Sequence, residues 1–438
     1  MSETTEILIQ IAAIIATFIY GFRTKLPVGI TMILSSLVVA LVAGFGIPLQ
    51  HVVEGSFYFL ELMSWLITGM VFIKVMEATG ALDAITRYLM YKFYAYPSLL
   101  LCALAVIVMF PAMITGSTPV AVLSTGVLVA PMLLRMGIPK LETAAIIGMT
   151  ALLGQSAPPV NVMIMIIATS TFMPYEGFMI PLALTTFPLA FFSAIYLGRK
   201  YVSSQELRKL VDVDVGEKRF PVGWKMLVLF LPLIVLTVLM VLPLTFPFAW
   251  PDLGLPLDFM LSAFVGLFTG LKRVKFSAVS LETAKESFVV MSLFVGMGVF
   301  VHILSLTGVK GFLGMTAVAL PKNLLYLSTA IAPALLGGPI VPFGVAAILG
   351  PPIVLAFSAQ NAVITTTGLS LFLSLGCLFP PTALSSLFAA QITGVENYLL
   401  VTKRCWFPAL VNAIVAFLVI YYADGIAQFL GYFGVAVK

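Results

Sequence analysis

The sequence has few charged side chains and is poor in histidine and cysteine. Charged residues make up 9% of its 438 residues and hydrophobic residues 61%, whereas a soluble domain carries about a quarter charged residues. Two histidines, and three cysteines without a CxxC spacing, argue against a disulfide framework and a zinc site. The nucleotide-binding pattern G-x-x-x-x-G-K-[ST] is absent as well. These absences predict an integral membrane protein that is not an enzyme, has no cofactor, is not driven by ATP directly and binds no nucleic acid.

The hydrophobic residues form long continuous runs, which are typical of membrane-spanning helices and not of the alternating strands of a barrel. With the N-terminus outside, most Lys and Arg residues fall in cytoplasmic loops, in agreement with the positive-inside rule. The formal net charge of +5 suits such loops because they face anionic lipid of the bilayer. This arrangement places a short loop around His51, the start of a helix at Phe288 and a cytoplasmic linker over 199–225.

Two stretches contain no charged residue: 42 residues from Phe93 to Leu134, and 73 residues from Asn323 to Val395. Both are too long for a single spanning helix of about 20 residues. In each half we predict a re-entrant hairpin followed by a long helix: hairpins over about 93–136 and 323–358, and helices over about 142–172 and 360–393.

Short motifs recur in the two halves at nearly constant spacing. Val71-Phe72 and Thr79-Gly80 recur 228 positions later, and Gly116 is matched by Gly338, 222 positions later. The motif Gly-x-x-x-Pro-Pro at 154–159 also recurs after 222 positions, at 376–381. Because the halves enter the membrane from opposite faces, the pattern predicts two inverted-topology repeats, which are typical of secondary transporters. We place these repeats at 1–198 and 226–438 in an all-α, polytopic membrane protein.

The tandem prolines should break both long helices near their middle. Proline has no N–H to donate and its ring clashes with the preceding turn. A break inside a membrane is costly unless the freed carbonyl groups line a cavity or hold an ion. Carbonyl and hydroxyl oxygens suit a weakly held monovalent cation such as Na+, and the N-termini of half-helices suit an anionic substrate.

These motifs, in this order, resemble the large membrane subunit of TRAP (tripartite ATP-independent periplasmic) transporters, which belongs to the ion-transporter superfamily. The likeness begins at Met76-Glu77-Ala78-Thr79-Gly80 and continues through Gly116-Ser117-Thr118-Pro119 and Gly154-x-x-x-Pro158-Pro159. In the second half it includes Leu375-Gly376-Cys377-Leu378-Phe379-Pro380-Pro381 and Ala390-Gln391-Ile392-Thr393-Gly394-Val395. The resemblance extends over almost the whole chain.

The resemblance implies an elevator transporter that imports a small organic anion, a carboxylate, together with Na+. Both hairpins and both broken helices would slide as one domain against a scaffold. The implied partners are a small membrane subunit and a periplasmic substrate-binding protein, in the cytoplasmic (inner) membrane of a bacterium or an archaeon.

The resemblance also implies where the ligands lie. One Na+ site would lie between the first hairpin tip and the first broken helix, and a second at the symmetry-related place. The implied cation ligands are Gly116, Ser117, Thr118, Gly154, Gln155, Ser156, Pro158, Gly337, Gly338, Pro339, Leu378, Phe379, Pro380 and Thr382. The candidate substrate ligands are polar side chains at the same places: Ser117, Thr118, Asn161, Thr382 and Ser385.

Three other functions remain open at this point. A stand-alone Na+- or H+-coupled carboxylate or oxyanion carrier of the same superfamily would need no binding protein. A cation/proton antiporter usually needs embedded carboxylates, and the stretches 93–134, 143–175 and 323–395 contain none. A passive channel would conduct without a Na+ gradient.

Three side chains outside these motifs bear on the chemistry. Lys74 and Glu77 are three residues apart on one helix face and predict an ion pair, with a gating or proton-linked role as the alternative. His302, which matches Lys74 in the repeat, is interpreted as a packing residue, and a proton relay is the alternative. We interpret Cys377 as a small filler.

Overall fold

The computed structural model describes residues 3–175, 177–202, 224–246 and 251–432. Within these ranges the chain is helical and contains no β-strand. Most of the predicted linker 199–225 lies outside the described residues. The first half contains α1 (Glu3–Arg23), α2 (Val28–Val42), α3 (Leu49–Phe57), α4 (Leu60–Ala78), α5 (Ala81–Phe93), α6 (Pro97–Thr115), α7 (Thr118–Arg135), α8 (Lys140–Gln155), α9 (Val162–Thr171) and α10 (Met179–Gly198).

The second half contains a similar series of helices. These are α11 (Trp224–Thr245), α12 (Leu255–Thr269), α13 (Phe276–Leu306), α14 (Val309–Ala319), α15 (Lys322–Ala356), α16 (Ala362–Leu375), α17 (Leu384–Thr393), α18 (Tyr398–Arg404), α19 (Trp406–Tyr421) and α20 (Ala423–Tyr432). In the described part of the chain, eight helices are long and apolar enough to cross a membrane, or nine when the bent pair α18–α19 counts as one span. The prediction of an all-α, multi-pass membrane protein is therefore confirmed.

Both long helices are interrupted where the tandem prolines lie. In the first half, α8 ends at Gln155 and α9 begins at Val162. In the second half, α16 ends at Leu375, a 3-10 turn covers Gly376–Leu378, and α17 begins at Leu384. The Pro158–Pro159 and Pro380–Pro381 peptide bonds are both cis. The missing N–H groups and the fixed φ of proline explain why neither helix continues through these positions.

The first hairpin turns at Gly116, between α6 and α7. Gly116 has φ 60°, a left-handed conformation that glycine adopts without steric cost. A side chain at this position would also overlap Val162, the first residue of α9. The turn therefore places the hairpin tip directly against the break in the first long helix.

The second hairpin is formed by α15, which folds back on itself at Val341. This residue has φ 67° and ψ 143° in the middle of the segment. The rings of Tyr326 and Phe357 lie 5.0 Å apart between their centroids, although a straight helix would separate these residues by about 46 Å. The side-chain amide of Gln360 also donates to the Tyr326 hydroxyl at 2.7 Å.

Two details of the predicted arrangement are wrong. The segment around His51 is a nine-residue helix, α3, and not a loop. It is held by close packing on α13, because a side chain added to Gly55 would overlap the backbone of Val299. The helix predicted to begin at Phe288 begins at Phe276. It therefore carries the charged residues Glu282 and Glu286, which the predicted start at Phe288 leaves outside the helix.

The helices pack in two groups. The scaffold group comprises α1–α4 and α11–α13: α2 and α3 pack on α13, and α4 packs on α12 and α13. The hairpin group comprises α6–α10 and α15–α19, in which each hairpin packs against the broken helix of its own half. The connecting helices α5 and α14 each follow a left-handed glycine, Gly80 with φ 74° and Gly308 with φ 80°.

Candidate functional site

A cavity of about 650 Å³ lies between the scaffold group and the hairpin group. The hairpin group contributes both hairpins and both broken helices to its wall, and the scaffold group contributes α2, α4 and α13. The polar and charged residues that line it are Lys74, Glu77, Ser117, Thr118, Ser124, Gln155, Glu286, Ser292 and Cys377.

Thr118, Gln155 and Cys377 form a buried cluster at the centre of this wall. The Thr118 hydroxyl donates a hydrogen bond to Gln155 Oε1. The Cys377 thiol donates to the same oxygen at 3.3 Å. The cluster joins the first hairpin tip, the end of α8 and the break in the second long helix.

Two helix N-termini face the cavity. Helix α7 begins at Thr118 and α17 begins at Leu384, and both residues line the cavity. The N-terminal end of a helix carries a partial positive charge and unpaired N–H groups. The cavity wall can therefore attract an anion without a basic side chain from the hairpin group.

A charged cluster lines another part of the cavity. The predicted ion pair is present, because Lys74 Nζ lies 3.7 Å from Glu77 Oε2. The nearest partner of Lys74 is nevertheless Glu286 on α13, at 2.8 Å, and Glu282 lies at 3.7 Å. We missed these two partners because α13 begins earlier than predicted. Glu282 and Glu286 are four residues apart, a spacing that places both on one face of a helix. This spacing is the sequence signal that could have identified them.

The first break contains a buried hydroxyl without a partner. Ser156 is fully buried, and within the described residues its Oγ finds no hydrogen-bond partner. The amide of Asn161 donates to the Ser156 carbonyl at 2.9 Å, so that the carbonyl remains directed into the break. Hydroxyl and carbonyl oxygens of this kind are typical ligands of hard cations.

Asn161 and Ser385 form hydrogen bonds within the protein. Asn161 Oδ1 accepts from the N–H of Ile164 at 3.1 Å and caps α9. The Ser385 hydroxyl donates to the Gly148 carbonyl at 2.6 Å and joins α17 to α8. Their predicted contacts with substrate stay predictions.

Tyr175 supports the same break from the loop after α9. Its hydroxyl donates to the Pro159 carbonyl at 2.9 Å and accepts from the N–H of Asn161 at 2.9 Å. Burial raises the pKa of this hydroxyl, so it remains a hydrogen-bond donor at neutral pH. Nothing in the sequence motifs had pointed to this residue.

In the second half, the hairpin and the break are in direct contact. The Thr382 hydroxyl donates to the Gly338 carbonyl at 2.6 Å. Gly337 lies against Gly376 so closely that a side chain at either position would overlap the other backbone. These glycines let the two segments approach each other as the corresponding segments do in the first half.

Of the predicted site residues, only Ser117, Thr118 and Gln155 line the cavity. The others do not line it and lie in the hairpin tips and breaks or, for Gly154 and Ser385, in the adjoining ends of α8 and α17. They are Gly116, Gly154, Ser156, Pro158, Asn161, Gly337, Gly338, Pro339, Leu378, Phe379, Pro380, Thr382 and Ser385. Cys377 is buried like a small filler but also lines the cavity.

The chain was matched to known proteins at the level of family. A family model described as "Tripartite ATP-independent periplasmic transporter, DctM component" matches residues 15–426. The match includes the second half of α1, the other scaffold helices, both hairpins and both breaks. No curated protein matches the chain.

Proposed function

The chain belongs to the family of DctM components, the large permease subunits of tripartite ATP-independent periplasmic transporters, and from this premise we propose that it imports a small organic carboxylate together with Na+. We also propose that it does so in the inner membrane of a bacterium or an archaeon. A small membrane subunit and a periplasmic substrate-binding protein would complete the system.

The cavity between the two groups of helices is the observation that supports transport most directly. Its wall contains the first hairpin tip, the Val341 turn of the second hairpin, the end of α8 at Gln155 and Cys377 of the second break on one side. The opposite side is formed by the scaffold helices α2, α4 and α13. A solute held there would travel with the hairpin group if that group slid along the scaffold, which is the motion of an elevator transporter.

The pairing of the helices supports two inverted repeats. The shift of 228 positions relates α2 to α12 and α4 to α13. Helix α2 packs on α13 and α4 packs on α12, so both contacts join the same two kinds of scaffold helix, one from each half. Lys74 contacts Glu286, and the residues related to them by 228 positions also meet, because the rings of His302 and Tyr58 lie 5.0 Å apart. This edge-on contact agrees with the interpretation of His302 as a packing residue.

The hydrogen bond between Cys377 and Gln155 adds to this symmetry. The two residues are 222 positions apart, which is the spacing of the Pro-Pro motifs. A residue that touches its own repeat mate lies on the axis that relates the repeats. We therefore propose that this axis passes through the cavity wall.

Neutral oxygens near Thr118 and Ser156 support Na+ as the coupling ion. The first hairpin tip and the first break supply hydroxyl and carbonyl groups but no carboxylate. A set of neutral ligands would bind a monovalent cation weakly enough to release it in each transport cycle.

Thr118→Ala tests the proposed Na+ site. Removing the hydroxyl should raise the Na+ concentration for half-maximal uptake by about fivefold, which corresponds to about 1 kcal/mol for one lost interaction. We expect a similar change for Ser117→Ala. The measurement is substrate uptake into proteoliposomes that contain the complete transporter, over a Na+ titration.

Thr125→Ala is the matched control for this experiment. Thr125 is fully buried in α7, but its hydroxyl donates to the Ala121 carbonyl at 3.2 Å and it does not line the cavity. Its Na+ dependence should match that of the unmodified chain. An unchanged Na+ dependence in Thr118→Ala and Ser117→Ala would remove both residues from the cation site.

A further inference from the structure

We propose that the transported anion is a monocarboxylate with an apolar body, and not a polyhydroxylated acid or a dicarboxylate. This inference rests on the proposed function, because it concerns the substrate of the same cavity. Three properties of the cavity wall carry it: its apolar area, the hydrogen bonds of its hydroxyl groups and its charge.

Most of the cavity wall is apolar and comes from both groups of helices. The hairpin group contributes Val120, Leu123, Val341, Phe343, Leu384 and Phe388. The scaffold group contributes Met70, Ile73, Val289, Val290 and Leu293. An apolar solute body would remove water from these side chains and gain about 25 cal/mol for each Å² of apolar surface buried.

Three of the four hydroxyl groups of the wall donate their protons to the protein itself, and Ser117 supplies the fourth hydroxyl. The Ser124 hydroxyl donates to the Val120 carbonyl at 2.7 Å, and the Ser292 hydroxyl donates to the Val289 carbonyl at 2.7 Å. The Thr118 hydroxyl donates to Gln155. A solute with a hydroxyl on every carbon would therefore lose more hydrogen bonds to water than this mostly apolar wall replaces.

The charges of the wall suit one carboxylate and not two. The N-termini of α7 and α17 favour an anionic group on the side of the cavity formed by the hairpin group. Lys74 is the one basic side chain among the residues that line the cavity, and Glu77, Glu282 and Glu286 all lie within 4 Å of it. With these carboxylates the lysine forms a group with a net formal charge of −2. A second carboxylate on the solute would be repelled there rather than bound.

Three six-carbon acids distinguish the possible substrate classes. Hexanoate has one carboxylate and an apolar body, adipate has two carboxylates, and gluconate has one carboxylate and five hydroxyl groups. Each is titrated against the full chain in lipid nanodiscs, with and without Na+, and its dissociation constant is obtained from the shift in thermal unfolding. We expect hexanoate with Na+ to bind at least about tenfold more tightly than either of the others.

A pair of variants tests whether the cavity wall sets this preference. Leu123→Ser removes apolar surface from the wall and should reduce the ratio of hexanoate to gluconate affinity about threefold or more. Leu99→Ser is the matched control, because Leu99 is on the same hairpin and equally exposed, 47% against 48%, but does not line the cavity. Its ratio should remain that of the unmodified chain.

The outcomes test the substrate class separately from Na+-coupled import. Adipate or gluconate binding as tightly as hexanoate, with Na+ still required, would overturn the substrate class and leave Na+-coupled import intact. Tighter binding of hexanoate that does not depend on Na+ would support the substrate class and contradict the proposed coupling. Binding of none of the three acids in the presence of Na+ would overturn the substrate class.

Discussion

Both polar atoms of the Asn161 side chain form hydrogen bonds that stabilise the first break. One end of the amide caps α9 at the N–H of Ile164, and the other end donates to the Ser156 carbonyl. The side chain is fully buried. A residue used in this way is expected to contribute to stability whether or not it also touches a substrate.

We expect Asn161→Ala to lower the free energy of unfolding by about 1–2 kcal/mol, because α9 loses its cap and a buried carbonyl loses its donor. Asn397→Ala is the control: Asn397 caps the short helix α18 in the same manner but is exposed, so its loss should cost less. Denaturation of the purified chain in detergent measures both values. A raised KM for uptake with unchanged stability would instead identify Asn161 as a substrate ligand.

At single positions, the chemical character of a site is easier to predict from the sequence than the contacts that its residues make. Thr118 and Gln155 could be singled out because they stand beside a Gly-Ser-Thr-Pro tip and a Gly-x-x-x-Pro-Pro break. The Lys74–Glu77 pair followed from helix spacing alone. Glu286 could not be placed, since its contact with Lys74 spans 212 residues and depends on how α4 and α13 cross.

Among the helices, α2 and α13 cross closely in the scaffold. A side chain added to Gly296 would overlap the Gly29 carbonyl oxygen, and one added to Gly29 would overlap the Ser292 carbonyl oxygen. Small residues at such crossings let helix backbones approach each other, and in lipid this close packing is a main source of helix association.

We expect Gly296→Ala to destabilise the chain by about 1–3 kcal/mol, since the backbones would have to separate to admit the methyl group. Gly314→Ala on α14 is the control, because no atom lies within 4 Å of the added carbon there. That substitution should be neutral or slightly stabilising. Thermal unfolding of both variants compares them, and equal stabilities would show that the two backbones are free to separate at this crossing.

The helix breaks were predictable because their cause is local, whereas the start of α13 and the short helix α3 were not. Tandem prolines disfavour continuation of a helix, and both breaks lie where the Gly-x-x-x-Pro-Pro motifs stand, whereas Pro351 and Pro352 are accommodated within α15. Residues 276–287, which include the charged positions 282–286, extend α13 by more than three turns before its predicted start at Phe288. Helix α3 around His51 is too short to be stable alone and depends on its contact with α13 through Gly55 and Gly298.

At the scale of the whole molecule, two helices bury little of their apolar surface against the rest of the chain. Only 28% of the apolar stretch of α1 is buried in this chain, and only 22% of that of α11. The corresponding figure for the hairpin α15 is 67%. Both helices belong to the scaffold group, so its outer face offers apolar surface to lipid or to the small membrane subunit that we propose as a partner.

Reconstitution distinguishes the tripartite system from a stand-alone carrier. We expect the purified chain alone in liposomes to take up a carboxylate no faster than about one tenth of the rate of the complete system, because both proposed partners would be missing. Adding the small membrane subunit and the loaded binding protein should restore uptake, and removing the Na+ gradient should abolish it. Full uptake by the chain alone would favour the stand-alone carrier, and flux that ignores the Na+ gradient would favour a channel. The cavity wall would have the same composition in all three cases, so the dependence on partners and on the gradient is the property that separates them.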